Sequence, residues 1–255
     1  MVLNLSRMDR PRLLLVPEFT ELEWTIAPQL SAWAEVALYD APGVGAEAVS
    51  AEELEELVAD EGRRRRLTAE RGLEEISRKG WDSFVVVADS GGIPSAARLA
   101  HARPDAVEAL ALGHACLSLE RDGARAPVNK EVWSAIDSLV DQDREQFIRH
   151  AITQLTGGSY DEEMAARMVE RVPIELFART WQQRSGQPVG ELIRQLDCPL
   201  LFVKHEGCLM FTDEGFDDAV AAFPRAETGA VGKKPSVSPE FADLLREFCE
   251  ATPAS

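Results

Sequence analysis

Five short runs of apolar residues recur along the chain, and they restrict the possible fold more than any other feature. The runs span residues 13–16, 35–39, 84–87, 107–112 and 200–203, and helical patterns separate them. Strands that are apolar at nearly every position are typical of a parallel sheet that is buried on both faces. The sequence therefore predicts an α/β fold, with a doubly wound, mostly parallel sheet and its ligand site at the carboxyl edge of the strands.

The segments between these runs indicate where the helices lie. Ser50 and Glu53 form a capping-box pattern, which predicts a helix that begins there and continues to about residue 79, with a break near Gly62. Residues 24–33 and 241–249 also predict helices. The stretch 129–183 has helical character without a strand pattern, so we expect a helical cap at about 125–190, inserted before the strand at 200–203. One domain covering 1–255 accommodates all of these elements.

The composition excludes several classes of protein. A net charge of −17 disfavours nucleic acid and anionic membranes as partners, and no segment has the ~20 apolar residues that span a bilayer. The cysteines at 116, 198, 208 and 249 lack paired spacing, so we predict no metal, no cofactor and a reducing, cytoplasmic location. The residue bias is typical of high-GC bacterial coding. We expect a small-molecule substrate or ligand. The oligomeric state stays open, with a homodimer among the alternatives.

A serine surrounded by small residues follows the third apolar run, in the sequence Ala88-Asp89-Ser90-Gly91-Gly92. This pattern is typical of a nucleophile elbow, in which a serine occupies a strained turn between a strand and a helix. Small residues two positions to either side, here Ala88 and Gly92, let the strand and helix pass closely. A register shifted by one residue would make Asp89 the nucleophile. The length of the preceding strand and the spacing to Pro104 favour Ser90.

Four further segments occur in the order known from one superfamily. They are Leu13-Leu14-Leu15-Val16-Pro17-Glu18-Phe19, Tyr39-Asp40-Ala41-Pro42-Gly43-Val44-Gly45, Arg103-Pro104-Asp105 and Cys198-Pro199-Leu200-Leu201-Phe202-Val203. With the elbow, they make the chain resemble the α/β-hydrolase superfamily from about Arg12 to the C-terminus. The resemblance implies a hydrolase whose oxyanion hole uses the backbone N–H groups of Phe19 and Gly91. It also implies an acid after the fifth strand and a histidine before the last helix.

The chain departs from this pattern at both of the latter positions. Cys208, or alternatively Gly207, stands where the acid is expected, and Lys233 or Lys234 stands where the histidine is expected. No histidine follows His205, so the sequence predicts a degenerate triad. We expect the two lysines to lie in an exposed loop.

Glu18 replaces the glycine that is usual in the oxyanion loop. If its carboxylate turned inward, it would repel a developing oxyanion by about 4 kcal/mol at ~4 Å and an effective dielectric constant near 20. One oxyanion donor normally contributes a similar amount (roughly 3–4 kcal/mol), so this repulsion could cancel the hole. The sequence leaves the orientation of Glu18 open.

Other side chains could rebuild the site. His114 follows the fourth strand, and His205 follows the fifth, where Glu206 could orient it; each is also compatible with a structural role. Asp89, Glu206 and Glu18 are carboxylates near the same sheet edge, and one of them could serve as a general acid or base. The remaining histidines, at 101 and 150, are predicted to be structural. The basic run at 63–66 is predicted to be a solvated helix face.

Three functional classes remain compatible with these residues. The first is an enzyme with a non-standard site, either a hydrolase of small esters or thioesters or a non-hydrolytic, lyase-type enzyme. The second is a pseudoenzyme that binds a small apolar ligand under the cap. The third is a structural or partner-binding subunit. The intact elbow favours the hydrolase, since function depends on the site rather than on the fold.

Overall fold

A computed structural model describes residues 10–47, 49–115, 138, 162–183, 189–208 and 213–252 of the protein. Its centre is a six-stranded sheet in the order β2-β1-β3-β4-β5-β6, in which every neighbouring pair is parallel. The strands are β1 (Arg12–Val16), β2 (Glu35–Ala37), β3 (Phe84–Asp89), β4 (Val107–Gly113), β5 (Leu200–His205) and β6 (Glu227–Val231). Strand β2 pairs with one side of β1, and β3 pairs with the other side of β1. The order therefore reverses between β1 and β3.

Helices cover both faces of the sheet, as the apolar strands predicted. Within the described ranges they are α1 (Ala27–Leu30), α2 (Ala51–Ala59), α3 (Glu61–Lys79), α4 (Ile93–Ala102), α5 (Glu162–Arg171), α6 (Ile174–Gln183), α7 (Val189–Arg194), α8 (Asp213–Ala222) and α9 (Pro239–Ala251). Residues of α3, α4, α7 and α8 pack on one face, and residues of α1 and α9 pack on the other. The fold class is therefore confirmed as doubly wound α/β.

A third apolar cluster lies over the carboxyl edge of the sheet. Phe19, which follows β1, packs there with residues of α2, α5 and α6, and its ring stacks on that of Phe177 with centroids 5.0 Å apart. Helices α5, α6 and α7 precede β5 in the chain, which is where the helical cap was expected. The residues from 116 to 161, apart from 138, lie outside the described part of the chain, so the bounds of the cap stay a prediction.

The structure differs from the sequence-based expectations in several elements. The segment predicted as β2 ends at Ala37 rather than residue 39, and the segment 24–33 contains only the four-residue helix α1 after a 3₁₀ turn at Glu21–Glu23. The predicted capping box at Ser50 is confirmed. The following helix is interrupted at Asp60 rather than at Gly62, because the Asp60 side chain accepts a hydrogen bond from the Arg63 N–H and caps a new helix.

Strand β6 is the one strand of the described sheet that the sequence analysis missed. It lies at the edge of the sheet, and four of its five residues are exposed or half-buried. An edge strand with little buried surface lacks the continuous apolar run that identified the other five strands.

Candidate functional site

The strand order places two loops side by side at the carboxyl edge. Residues 17–19 follow β1, and Ser90 follows β3, the neighbour of β1. Ser90 has a φ of 48°, in the left-handed region that non-glycine residues rarely adopt, whereas Asp89 is extended with a φ of −132°. The sharp turn of a nucleophile elbow is therefore at Ser90. This geometry favours the serine over the Asp89 register.

Gly92 allows the strand and the following helix to pass closely at this elbow. A Cβ at position 92 would lie 2.5 Å from the Val16 carbonyl oxygen and 3.3 Å from the Pro17 carbonyl carbon. We therefore expect Gly92→Ala to lower the free energy of unfolding by about 1–3 kcal/mol, because backbone atoms must move. Urea denaturation measures this change. Gly232→Ala is the matched control, since a Cβ there meets no atom within 4 Å among the described residues. Equal stabilities of the two variants would contradict the close passage at Gly92.

The hydroxyl of Ser90 contacts an imidazole. Its Oγ atom lies 2.9 Å from Nδ1 of His114, which follows β4 with a φ of 54°. His114 is 7% exposed. Burial lowers its pKa to about 4, although the nearby Asp89 carboxylate acts in the opposite direction. The imidazole is therefore neutral near pH 7, which is the form that can accept a proton from serine.

The carboxylate of Asp89 contacts Ser90 and the segment that follows β6. Its Oδ1 lies 3.2 Å from the Ser90 Oγ atom and is the second possible acceptor, beside Nδ1 of His114, for the single hydroxyl proton. Its Oδ2 accepts a hydrogen bond from the Ser236 N–H at 3.1 Å. The ammonium group of Lys234 lies 3.8 Å from the same Oδ2. Lys234 was expected in an exposed loop, but its side chain is only 15% exposed because it turns inward to this carboxylate. Lys233 is exposed, as expected.

A second histidine stands behind the first. The ring of His205, at the end of β5, meets that of His114 edge-on with centroids 5.3 Å apart. Glu206 was expected to orient His205, but its side chain is exposed, and the Nδ1 atom of His205 is buried without a hydrogen-bond partner among the described residues. Glu206 therefore does not join the carboxylates of Asp89 and Glu18 at this edge. Burial is the main cause that lowers the pKa of His205.

Cys208 completes this side of the site. Gly207, with a φ of 71°, turns the chain after β5, and the Cys208 N–H donates to the His205 carbonyl oxygen at 3.4 Å. One donor atom from each of His114, His205 and Cys208 lies within 4.8 Å of the other two. No other group of three metal-ligating side chains this close together occurs in the part of the chain that the structure describes.

The oxyanion loop already binds a carboxylate of the protein itself. Glu23, which is 5% exposed, accepts hydrogen bonds from the backbone N–H groups of Glu18 (3.1 Å), Phe19 (2.7 Å) and Thr20 (2.9 Å). The predicted oxyanion donor of Phe19 is therefore engaged. Burial raises the pKa of Glu23, and the hydrogen bonds from Thr20 and Phe19 oppose that shift. Glu23 was not among the site residues predicted from the sequence, although Thr20-Glu21-Leu22-Glu23 fits the capping-box pattern that the structure shows here.

The side chain of Glu18 turns inward. It is 17% exposed and lies directly over Gly91, where any Cβ would overlap its carboxylate. Its Oε1 atom lies 4.0 Å from Nη2 of Arg65. The open question of its orientation is thereby answered, and a negative charge stands beside the elbow.

The basic run at 63–66 is only partly a solvated face, so that prediction was wrong for two of its four residues. Arg64 and Arg65 are buried, because this part of α3 packs against the elbow and the oxyanion loop. Arg65 donates to the Gly91 carbonyl oxygen, and Arg64 lies 3.5 Å from the Glu18 carbonyl oxygen and over the Phe19 ring. Arg64 has a pKa lowered to about 9, mainly by burial.

The two remaining histidines, at 101 and 150, were predicted to be structural. His101 is exposed near the end of α4. His150 and Cys116 lie outside the described residues. Within the described ranges, no helix is both long enough and apolar enough to cross a bilayer.

Comparisons with known proteins identify the fold. No protein-family model matches the sequence, and no curated protein is similar to it in sequence. Several solved structures superpose over nearly the whole chain. A hydrolase from Oleispira antarctica has a TM-score of 0.72 at 12% identity, and the match covers 95% of this chain and 92% of that one. A Pseudomonas aeruginosa protein proposed to be an epoxide hydrolase has a TM-score of 0.67 at 21% identity, with coverage of 95% and 89%.

A third similar structure, E-2-(acetamidomethylene)succinate hydrolase, has a TM-score of 0.64 at 14% identity and covers 95% of this chain and 91% of its own. At these identities the similarity concerns the fold. The parallel six-stranded sheet, the elbow at Ser90 and these superpositions together establish that the chain has the α/β-hydrolase fold.

Proposed function

We propose that the protein is a serine hydrolase of small esters or thioesters, with Ser90 as the nucleophile and His114 as the general base. The observation that supports this most directly is the 2.9 Å separation between Ser90 Oγ and His114 Nδ1 at a strained elbow. A hydroxyl becomes nucleophilic when a neutral base within hydrogen-bond reach accepts its proton. His114 takes the place of the histidine that the superfamily places before its last helix.

Asp89 supplies the negative charge that the imidazole needs after it is protonated. The Asp89 carboxylate raises the pKa of His114 against the opposing effect of burial, so it stabilises the imidazolium that forms during attack. The Ser236 N–H and Lys234 hold this carboxylate in place from the side of β6. The proposed acid is therefore the residue immediately before the nucleophile.

The oxyanion side of the site makes turnover slow. The Phe19 N–H is bonded to Glu23, which leaves the Gly91 N–H as the expected donor, and the Glu18 carboxylate covers Gly91. Loss of one oxyanion donor costs about 10²–10³ in kcat in other hydrolases. Esters and thioesters have better leaving groups than amides, so they depend less on this stabilisation. For this reason we propose them as the substrate class.

The carboxylates at this edge of the sheet favour a second candidate, a non-hydrolysing relative that binds a small ligand there. In that case Glu18, Glu23 and Asp89 make the elbow unsuitable for an oxyanion. The apolar cluster that contains Phe19 and Phe177 would then lie beside the bound ligand. Proton-transfer chemistry of the lyase type at Glu18 and Asp89 is the third alternative.

Hydrolysis of p-nitrophenyl acetate and of an acetyl thioester separates these functions. The hydrolase proposal expects the wild-type protein to release product faster than Ser90→Ala, which serves as the inactive reference. Circular dichroism establishes that the reference is folded. If the two proteins release product at the same rate, the hydrolase proposal is rejected and the ligand-binding candidate takes its place.

We also propose a cytoplasmic location and a small-molecule substrate. The support for the location is the spacing of the four cysteines, which lacks the pairing typical of oxidising compartments. The acidic surface charge is consistent with a small ligand rather than nucleic acid.

A further inference from the structure

We propose that His114, His205 and Cys208 form a binding site for a divalent transition metal ion of the zinc type. One nitrogen from each histidine and the Cys208 sulfur lie within 4.8 Å of one another. Two imidazoles and one thiolate are a donor set that suits Zn²⁺, whereas Mg²⁺ and Ca²⁺ require oxygen ligands. The sequence did not predict this site, because its ligands are brought together by the ends of two strands and have no motif spacing.

The backbone holds these donors in nearly fixed positions. His114 directly follows β4, His205 ends the neighbouring parallel strand β5, and the turn at Gly207 brings Cys208 back beside them. In a tetrahedral zinc site the donor atoms lie roughly 3.3–3.7 Å apart, as bond lengths of about 2.0–2.3 Å require. The donor atoms of His114, His205 and Cys208, which lie up to 4.8 Å apart, would therefore have to approach one another by about 1 Å. Small side-chain rotations allow this approach.

The burial of His205 gives an independent reason for a ligand at this place. Its side chain is 6% exposed, and its Nδ1 atom has no hydrogen-bond partner among the described residues. A buried polar atom without a partner is costly, and a metal ion bound to Nδ1 of this imidazole would remove that cost. Three protein ligands leave a fourth position open, as in zinc sites that bind water or a substrate.

Metal binding and serine activation exclude each other in this arrangement, a consequence that rests on the proposed function. If the metal binds Nδ1 of His114, it displaces Ser90 from that atom. If it binds the other ring nitrogen, Nδ1 carries the proton and can only donate to Ser90. In both cases His114 cannot accept the proton of the serine. Cys208 releases its thiol proton to solvent when the metal binds.

Titration of the full-length protein with Co²⁺ tests the site without reference to activity. We expect the thiolate-to-cobalt charge-transfer absorption of a bound cysteine. We expect its loss in Cys208→Ser and an affinity lowered by more than about tenfold in His205→Gln. Cys198→Ser is the matched control, because Cys198 precedes β5 at the opposite edge of the sheet, and it should keep the absorption. No absorption in the wild-type protein, or equal absorption in Cys208→Ser, would overturn the proposal.

Alkylation of the wild-type protein provides a second measurement that does not depend on the folding of any variant. Zn²⁺ should slow the reaction of Cys208 with iodoacetamide, as located by peptide mass spectrometry, and leave the rate at Cys198 unchanged. Equal rates at Cys208 with and without Zn²⁺ would overturn the site. If Zn²⁺ protects Cys208 but the protein never hydrolyses esters, the metal site stands and only the hydrolase proposal fails.

Discussion

The variant His114→Asn is expected to react with a fluorophosphonate about 10²–10⁴ times more slowly than the wild-type protein, the usual contribution of a general base. Asparagine can hydrogen-bond to the Ser90 hydroxyl but cannot remove its proton at neutral pH. It also tolerates the left-handed backbone at position 114, where φ is 54°, so the strand end should keep its geometry. The rate is measured as loss of fluorescence labelling with time at a fixed probe concentration.

Two comparisons make this result specific. His101→Asn removes an exposed imidazole on α4 and should leave the labelling rate unchanged. His205→Asn tests the other candidate base, and we expect a smaller loss than in His114→Asn, because the ring of His205 contacts His114 rather than the Ser90 hydroxyl. Labelling of His114→Asn at the wild-type rate would show that another group activates the serine.

The variant Glu23→Ala is expected to lower the free energy of unfolding by about 3–5 kcal/mol, since it leaves three N–H donors, two of them buried, without their acceptor at roughly 1–3 kcal/mol each. Part of the gross loss is returned, because the buried carboxylate itself is costly and water can enter the vacated space. Urea denaturation followed by circular dichroism gives the free energy, provided that the slope with denaturant concentration is unchanged.

Glu23→Gln separates the hydrogen bonds from the volume of the side chain. Its amide oxygen can accept one or two of the three N–H groups, so its stability should fall between those of the wild-type protein and Glu23→Ala. Stability of Glu23→Ala within about 0.5 kcal/mol of the wild-type value, the range of an ordinary surface substitution, would contradict the assignment of Glu23 as the acceptor that organises the oxyanion loop.

Much of the fold could be predicted because the sequence pattern of each main strand lies within a few consecutive residues. The apolar runs that form β1, β3, β4 and β5 are buried at nearly every position. Each of these strands can therefore be predicted from its own residues alone. The elbow was predictable for a similar reason, since its strain and its close packing require serine and glycine at fixed spacing. Strand β6 was not predicted, because it lies at the edge of the sheet and pairs with a single neighbouring strand.

The candidate site was less predictable, because its contacts join distant parts of the chain. His114 was named as one of two substitute bases, and only the pairing of β3 with β4 shows that it, rather than His205, meets Ser90. The inward turns of Lys234 and Arg65 depend on partners 145 and 26 positions away, at Asp89 and Gly91. The sequence of a basic run or of a lysine pair does not indicate which distant residues its side chains will contact.

Glu23 shows a different limit. Its capping-box pattern was readable in the sequence, but the extension of its hydrogen bonds to Phe19 and Glu18 depends on how the turn folds. The backbone N–H groups of Glu18 and Phe19 donate hydrogen bonds to the carboxylate of Glu23. These hydrogen bonds can be identified only from atomic positions.

Peptide mass spectrometry of the wild-type protein after reaction with a fluorophosphonate shows which side chain carries the adduct. We expect one adduct, on the hydroxyl oxygen of Ser90, formed slowly and absent from folded Ser90→Ala. A folded protein that forms no adduct, or one that carries it on another residue such as Ser236, would contradict the claim that His114 activates the serine of the elbow.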